Sequence, residues 1–253
     1  MGSNVSDFGQ EPNTDLDISN VAELQISPTR VIRLLLFVIA GLLVLSSLGQ
    51  ISHHVFDRGS VFGLVRLVYV DEEANLPTAY STFAWMLCSL LAAMIATAKK
   101  QGGDRFTQYW RRFSFVFAYL TLDEATSIHE LFTGPTRTLF HASGLFYYAW
   151  VIPGGIFFLL FALSCFKFVR TLPMKTQVLM MLAGATFVTG AIGMEMIGGW
   201  YAEAFGFQAD LTYSLIVSVE ETLEMLGVLI LLYALLSYMS AHTPPFRIRV
   251  LSK

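Results

Sequence analysis

Long apolar runs alternate with short polar connections along most of this chain. Six of these runs are long enough to cross a bilayer as helices, which takes about 20 apolar residues at about 1.5 Å per residue. The connections are too short to hold another folded unit, so the pattern predicts an all-α polytopic membrane protein, with six transmembrane helices in one bundle. The predicted spans cover residues 31–51, 79–98, 113–132, 145–168, 177–200 and 212–238.

Basic residues lie mostly on one side of this six-span arrangement. Membrane proteins concentrate lysine and arginine in their cytoplasmic loops, so the distribution predicts that both termini are cytoplasmic. Only Arg58, Arg66 and Arg137 fall on the other side. We therefore divide the chain into a disordered cytoplasmic tail (1–29), a six-helix transmembrane domain (30–240) and a cytoplasmic C-terminal tail (241–253).

The composition agrees with this interpretation and excludes others. Of the 253 residues, 55% are hydrophobic and only 14% are charged, which is outside the usual range of soluble domains. A net charge of −3 without a basic run argues against nucleic acid as a partner. The two cysteines, Cys88 and Cys165, lie in separate spans and form neither a disulfide framework nor a thiolate metal site by themselves.

The longest outer connection, about 52–78, contains an apolar stretch from Val61 to Val70. An apolar stretch of this length is compatible with a segment lying along the membrane surface or with a β-strand. The sequence leaves both alternatives open.

Seven carboxylates lie inside the predicted spans, with no lysine or arginine beside them to balance the charge. An ionised side chain in hydrocarbon costs several kcal/mol, so these acids must bind cations, share protons or line a hydrated cavity. Intramembrane acids therefore mark the place where function is expected. They are Asp123, Glu124, Glu130, Glu195, Glu220, Glu221 and Glu224.

The acids of the third and sixth spans form two polar stripes. Asp123, Ser127 and Glu130 follow helical spacing, and Tyr213 joins the glutamates of the sixth span within one arc. Two polar stripes in an apolar bundle should face each other. Because the inner halves of these spans are almost entirely apolar, we expect a pocket that opens outward.

Carboxylates mixed with histidine are typical ligands of divalent metal ions. We expect a divalent metal ion as cofactor, with a general base nearby that acts on a metal-bound water. A structural network of protonated acids, hydrogen-bonded between helices, is the alternative. The predicted metal ligands are Asp123, Glu124, His129, Glu220, Glu221 and Glu224, and the predicted catalytic or supporting residues are Glu130 and Glu195.

Three segments carry a family resemblance. Residues 122–130 (LDEATSIHE), 193–199 (GMEMIGG) and 219–227 (VEETLEMLG) resemble an uncharacterised family of bacterial six-span integral membrane proteins. The resemblance implies the fold and a bacterial inner membrane location, and it transfers no catalytic roles. A weaker likeness is to membrane metal hydrolases of the alkaline ceramidase type, although their His-x-x-x-His pair is absent.

These observations predict a membrane-embedded, metal-dependent, hydrolytic enzyme. It would act on a lipid or other amphipathic substrate from the extracytoplasmic side of the membrane. One alternative is a cation- or proton-coupled transporter, since proton relays are also built from intramembrane acids. Another is a non-catalytic metal-binding subunit or assembly factor of a membrane complex.

Overall fold

The computed structural model describes residues 26–56, 64–70, 72, 74–206 and 210–244. Within these ranges all regular structure is helical and no β-strand forms, so the predicted all-α fold is confirmed. Among the helices of this described part, four segments are long and apolar enough to cross a membrane, where six were predicted. These are Pro28–Ser52, Leu76–Gln101, Val151–Val169 and Met174–Phe205.

The helices follow the apolar runs of the sequence with shifted ends. Short 3₁₀ segments at Ile128–Phe132 and Gly144–Phe146 and a π-helical turn at Thr189–Met194 separate some of them. In chain order the α-helices are α1 (Pro28–Phe56), α2 (Leu64–Val68), α3 (Leu76–Gln101), α4 (Thr107–Thr126), α5 (Thr133–Phe140), α6 (Val151–Val169), α7 (Met174–Val188), α8 (Glu195–Phe205) and α9 (Leu211–His242).

Helices α4 and α9 correspond to the two predicted spans that are not among these four. Charge explains this for α4, which carries Arg111 and Arg112 near its start and Asp123 and Glu124 near its end. Helix α9 carries three glutamates in its first half and buries much of its second half against other helices. Both predicted tails fall mainly on residues 1–25 and 245–253, outside the described residues.

The outer connection contains the short helix α2, so within the described residues the strand alternative is wrong. Asn75 then caps α3, because its side-chain oxygen accepts the backbone N–H of Thr78 at 3.1 Å. The Asn75 amide also donates to the Tyr69 carbonyl, which ties α2 to the start of α3.

The third predicted span is not one continuous helix. Helix α4 ends at Thr126, and Ser127 adopts the left-handed conformation (φ 49°, ψ 44°) before the chain turns into a 3₁₀ segment and then α5. The predicted polar stripe through Asp123, Ser127 and Glu130 is therefore wrong as a straight helical face.

Side chains of the last turn of α4 explain this break. Asp123 Oδ1 accepts the backbone N–H of His129 at 2.8 Å, and the Thr126 hydroxyl donates to the Leu122 carbonyl at 2.6 Å. Such side-chain-to-backbone bonds compete with helix continuation. The chain consequently folds back over the end of α4.

Helix α9 lies inside the bundle and packs against α1, α3 and α7. Its closest approach is to α7 at Gly227, where a Cβ atom would lie 2.7 Å from the backbone nitrogen of Phe187. An aromatic cluster joins the C-terminal end of α6 to α4 and α9: Phe168 stacks on Tyr109, and Trp110 packs against Phe168 and Tyr238. The rest of α6 packs mainly on the π-helical turn.

Candidate functional site

A cavity of about 1230 Å³ lies between α4, α6, α7 and α9. All eight predicted site residues line it, so the structure brings the acids of the three spans to one place. The stripes of α4 and α9 face each other across this cavity rather than by direct helix packing. The residues concerned are Asp123, Glu124, His129, Glu130, Glu195, Glu220, Glu221 and Glu224.

Asp123 and His129 form a hydrogen-bonded pair. The Oδ2 atom of Asp123 lies 3.0 Å from Nδ1 of His129, while its Oδ1 atom accepts the His129 backbone N–H. A carboxylate can only accept, so Nδ1 carries the hydrogen and Nε2 is the accepting nitrogen of the neutral ring. With Nδ1 held by Asp123, the Nε2 atom of His129 can act either as a general base or as a metal ligand.

Trp150 connects this pair to the next acid. Its ring packs on the His129 ring with centroids 4.6 Å apart, and its indole N–H donates to Glu195 at 2.9 Å. The carboxyls of Glu195 and Glu130 also lie within electrostatic reach of the imidazole. One indole therefore holds both the histidine and a carboxyl at fixed positions in the cavity wall.

Glu195 and Glu220 form a second pair. Both carboxyls lie in the same part of the cavity wall, and Glu220 is buried. Two neighbouring carboxylates repel each other if both are ionised, so sharing one proton is favoured. This pair can therefore hold a proton that is available for transfer.

The π-helical turn and its glycines bring α9 close to these acids. A Cβ atom on Gly190 would lie 2.8 Å from the backbone oxygen of Glu220 and 2.9 Å from Cγ of Glu224. Only glycine fits such an approach without displacing backbone. Gly190 thus sets the separation between α9 and the π-helical turn.

No group of three or more histidine, cysteine, aspartate or glutamate side chains in the described residues is arranged to hold a metal ion. Asp123 is one reason, since both of its oxygens already accept hydrogen bonds from His129. The remaining donors, mostly carboxylates, still match the chemistry of a hard divalent cation. The metal ion therefore stays a prediction.

Several lining residues were missed or placed elsewhere by the sequence analysis. Trp150 and Tyr148 line the cavity, and the Tyr148 hydroxyl lies 3.2 Å from that of Tyr213. Arg137 also lines it, with its guanidinium 3.7 Å from the centroid of the Tyr147 ring. Its Nε atom donates to the Tyr147 carbonyl at 2.9 Å, so Arg137 is a basic residue of the cavity wall that is fixed by Tyr147.

The cavity continues beyond the acids into the apolar half of the bundle. Its lining there consists of aromatic and aliphatic side chains, in agreement with the predicted lack of polar groups in the inner halves. Among the residues that form it are Phe113, Phe161, Val169, Met180 and Leu231. The site is therefore amphipathic, with an acidic end and a long apolar part.

Fold and site together define an all-α protein with several helices able to span a membrane, built around an amphipathic cavity. Residues 34–239 match the model of a family described as a domain of unknown function, DUF8692. The chain belongs to this family. No curated protein and no solved structure matches it.

Proposed function

We propose that this protein is a membrane-embedded enzyme that hydrolyses a lipid or other amphipathic molecule in the cavity. The observation that carries the proposal is the composition of the cavity wall. The Asp123–His129 pair and the Glu195–Glu220 pair share its acidic end, and the remaining wall is apolar. The general base and the protonated acid suit reaction at the polar head of an amphipathic substrate, and the apolar slot suits binding of its chain.

The proposed topology has six spans: the four long apolar segments, together with α4 and α9. Charges support it, since Lys99, Lys100 and Arg170 lie at connections on the side opposite the acids. Both termini would then be cytoplasmic, and the acidic end of the cavity would face the extracytoplasmic side. The inner membrane of a bacterium is the proposed location.

In the proposed reaction His129 is the base and the Glu195–Glu220 pair is the acid. His129 Nε2 takes a proton from water, and the water oxygen bonds to the carbonyl carbon of an ester or amide. The bond to the leaving oxygen or nitrogen breaks, and that atom takes the proton held by Glu195 and Glu220. The products are a carboxylic acid and an alcohol or amine, and transfer of the proton from His129 to the Glu195–Glu220 pair through water restores the starting state. Asp123 serves as a positioning residue because it fixes the imidazole.

Glu124, Glu221 and Glu224 would have to move closer together to hold a divalent metal ion, since they are not arranged around one as they stand. Such an ion would then polarise the carbonyl oxygen. We expect protein purified in mild detergent to contain about one equivalent of such a metal per chain. Elemental analysis of the wild type and of the Glu221→Gln/Glu224→Gln variant measures this. Metal should be lost in the double variant and kept in Glu203→Gln, which changes a carboxylate that binds the Gly144 N–H away from the cavity. A metal-free wild type would contradict the metal part of the proposal.

The proposed reaction is tested in proteoliposomes made from a mixed lipid extract. Mass spectrometry of the lipids and of released soluble products should show a lipid consumed by the wild type. We expect Glu220→Gln to slow this turnover about 100-fold or more, because an amide cannot pass on the carboxyl proton.

Glu203→Gln is the matched control for this experiment and should keep wild-type turnover. Equal rates in Glu220→Gln and the wild type would contradict the assignment of the acid. The absence of any consumed lipid, together with cation- or proton-dependent movement of a solute across the vesicle membrane, would favour the transporter.

A further inference from the structure

The cavity is about as deep as one leaflet of a bilayer. Glu220 at its acidic end and Leu231 at its apolar end lie 11 residues apart on α9, which is about 16 Å along a helix at about 1.5 Å per residue. The hydrocarbon core of a bilayer is about 30 Å thick, so each leaflet contributes about 15 Å. Glu224 also lines the cavity, so the apolar slot below the acids covers the last seven of these residues, about 10 Å, and has room for the end of one lipid chain.

The wall between this slot and the surrounding lipid is thin along α6. Two ring contacts close the seam between α4 and α6: Tyr119 with Phe157 at 6.4 Å and Phe113 with Phe161 at 5.4 Å between centroids. Tyr119 is 42% exposed and Phe157 is 51% exposed, so the outer ring pair faces the lipid on one side and the cavity on the other.

Helix α6 is fixed at its C-terminal end and loosely packed above it. Phe168 is buried in the aromatic cluster with Tyr109 and Trp110. Along the rest of its length α6 packs mainly on the π-helical turn, and its contact with α4 is made by side chains. Rotation of ring side chains would open the seam without separating close-packed helix backbones.

We infer that the cavity takes one hydrocarbon chain of a bilayer lipid, which passes sideways through the seam between α4 and α6. The inference rests on the proposed function and specifies its substrate as a lipid presented by the membrane. Met180 and Leu231, which are buried at the deep end of the slot, set the chain length that fits. Gly184 lines the same slot, and a Cβ at this position would already contact Phe158 at 3.9 Å. A larger side chain at Gly184 would therefore occupy space that the lipid chain needs.

The inference is tested by photolabelling in liposomes that contain a phosphatidylcholine with a diazirine near the end of one chain. In the wild type the label should map to the slot, at residues such as Met180 and Leu231. We expect Gly184→Leu to reduce slot labelling about tenfold, because its side chain takes the space of about four methylene groups of the lipid. Gly41→Leu is the matched control, since nothing lies within 4 Å of a Cβ at Gly41. Slot labelling that is equal in both variants, or label confined to outward-facing residues such as Phe115 and Leu163, would overturn the inference.

The seam is tested with Tyr119→Cys/Phe157→Cys in a background in which Cys88 and Cys165 are replaced by alanine. A bifunctional thiol reagent with a cleavable disulfide should lower slot labelling, and reduction should restore it. Slot labelling that continues unchanged in the cross-linked protein would overturn the lateral route.

These results are independent of turnover. Glu220→Gln should bind the chain and label like the wild type. Slot labelling without any lipid turnover would contradict the proposed enzyme but support the binding of a lipid chain in the slot. Turnover of lipid without slot labelling would overturn the binding of a chain in the slot but support the enzyme.

Discussion

Replacing His129 with asparagine is expected to lower lipid turnover about 100-fold to 10,000-fold, the usual contribution of a general base. The asparagine amide can still donate a hydrogen bond to Asp123 in place of Nδ1, so the turn after α4 should survive. What is lost is the second ring nitrogen, which is the atom that accepts the proton from water. Initial rates in proteoliposomes, compared with the thermal midpoint of each purified variant, measure the two effects separately.

His141→Asn is the matched control for this prediction. His141 ends α5 in the left-handed conformation (φ 49°), which asparagine tolerates, and it does not line the cavity. Turnover should remain at the wild-type rate. A similar loss in both variants, or a fall in the thermal midpoint that accounts for the lost activity of His129→Asn, would contradict the role of His129 as a base.

Replacing Gly227 with alanine is expected to destabilise the bundle strongly for a change of a single methyl group. The added Cβ would lie 2.7 Å from the backbone nitrogen and 2.8 Å from the Cα of Phe187, and backbone atoms cannot move aside as a flexible side chain can. Helices α7 and α9 would have to separate. Overpacking of this kind costs about 1–3 kcal/mol and sometimes more. Unfolding of the detergent-solubilised protein, followed by circular dichroism during heating, measures the change.

Gly41→Ala provides the comparison for the stability measurement. Nothing lies within 4 Å of a Cβ at this position, and alanine is a better helix former than glycine. Its thermal midpoint should equal or slightly exceed that of the wild type. A Gly227→Ala protein as stable as Gly41→Ala would show that the α7–α9 contact is looser than the structure has it.

The helical fold could be predicted because apolar length is a local property of the sequence. The same property could not predict where helices break. The third apolar run reads as one span, yet it ends at Ser127 because the Asp123 side chain accepts the backbone N–H of His129 six residues later. That bond competes with the helix and depends on side-chain geometry that periodicity does not encode. The same evidence of apolar runs predicted six spans, and among the described helices four are long and apolar enough to cross a membrane.

The acids of the site could be predicted because charge inside an apolar run is rare and costly. Their convergence followed from the requirement that polar faces avoid lipid, and the cavity agrees with it. Their partners could not be predicted in the same way. Trp150 stands in no motif with the acids, and its bond to Glu195 joins residues that are 45 positions apart. Only the folded chain brings them together.

The π-helical turn at Thr189–Met194 also has a consequence for how this protein could change during evolution. A π turn is equivalent to one residue inserted into an α-helix, and its wider turn absorbs that residue, so the helices on either side keep their phase. Loss of a single codon in this segment would restore an ordinary helix from Met174 to Phe205 and leave Glu195 on the same face, whereas the same loss within α7 would turn Glu195 by about 100° away from Trp150 and Glu220. A descendant with a shorter turn would therefore keep its acid pair, and one with a shorter α7 would lose it while keeping the acids in its sequence.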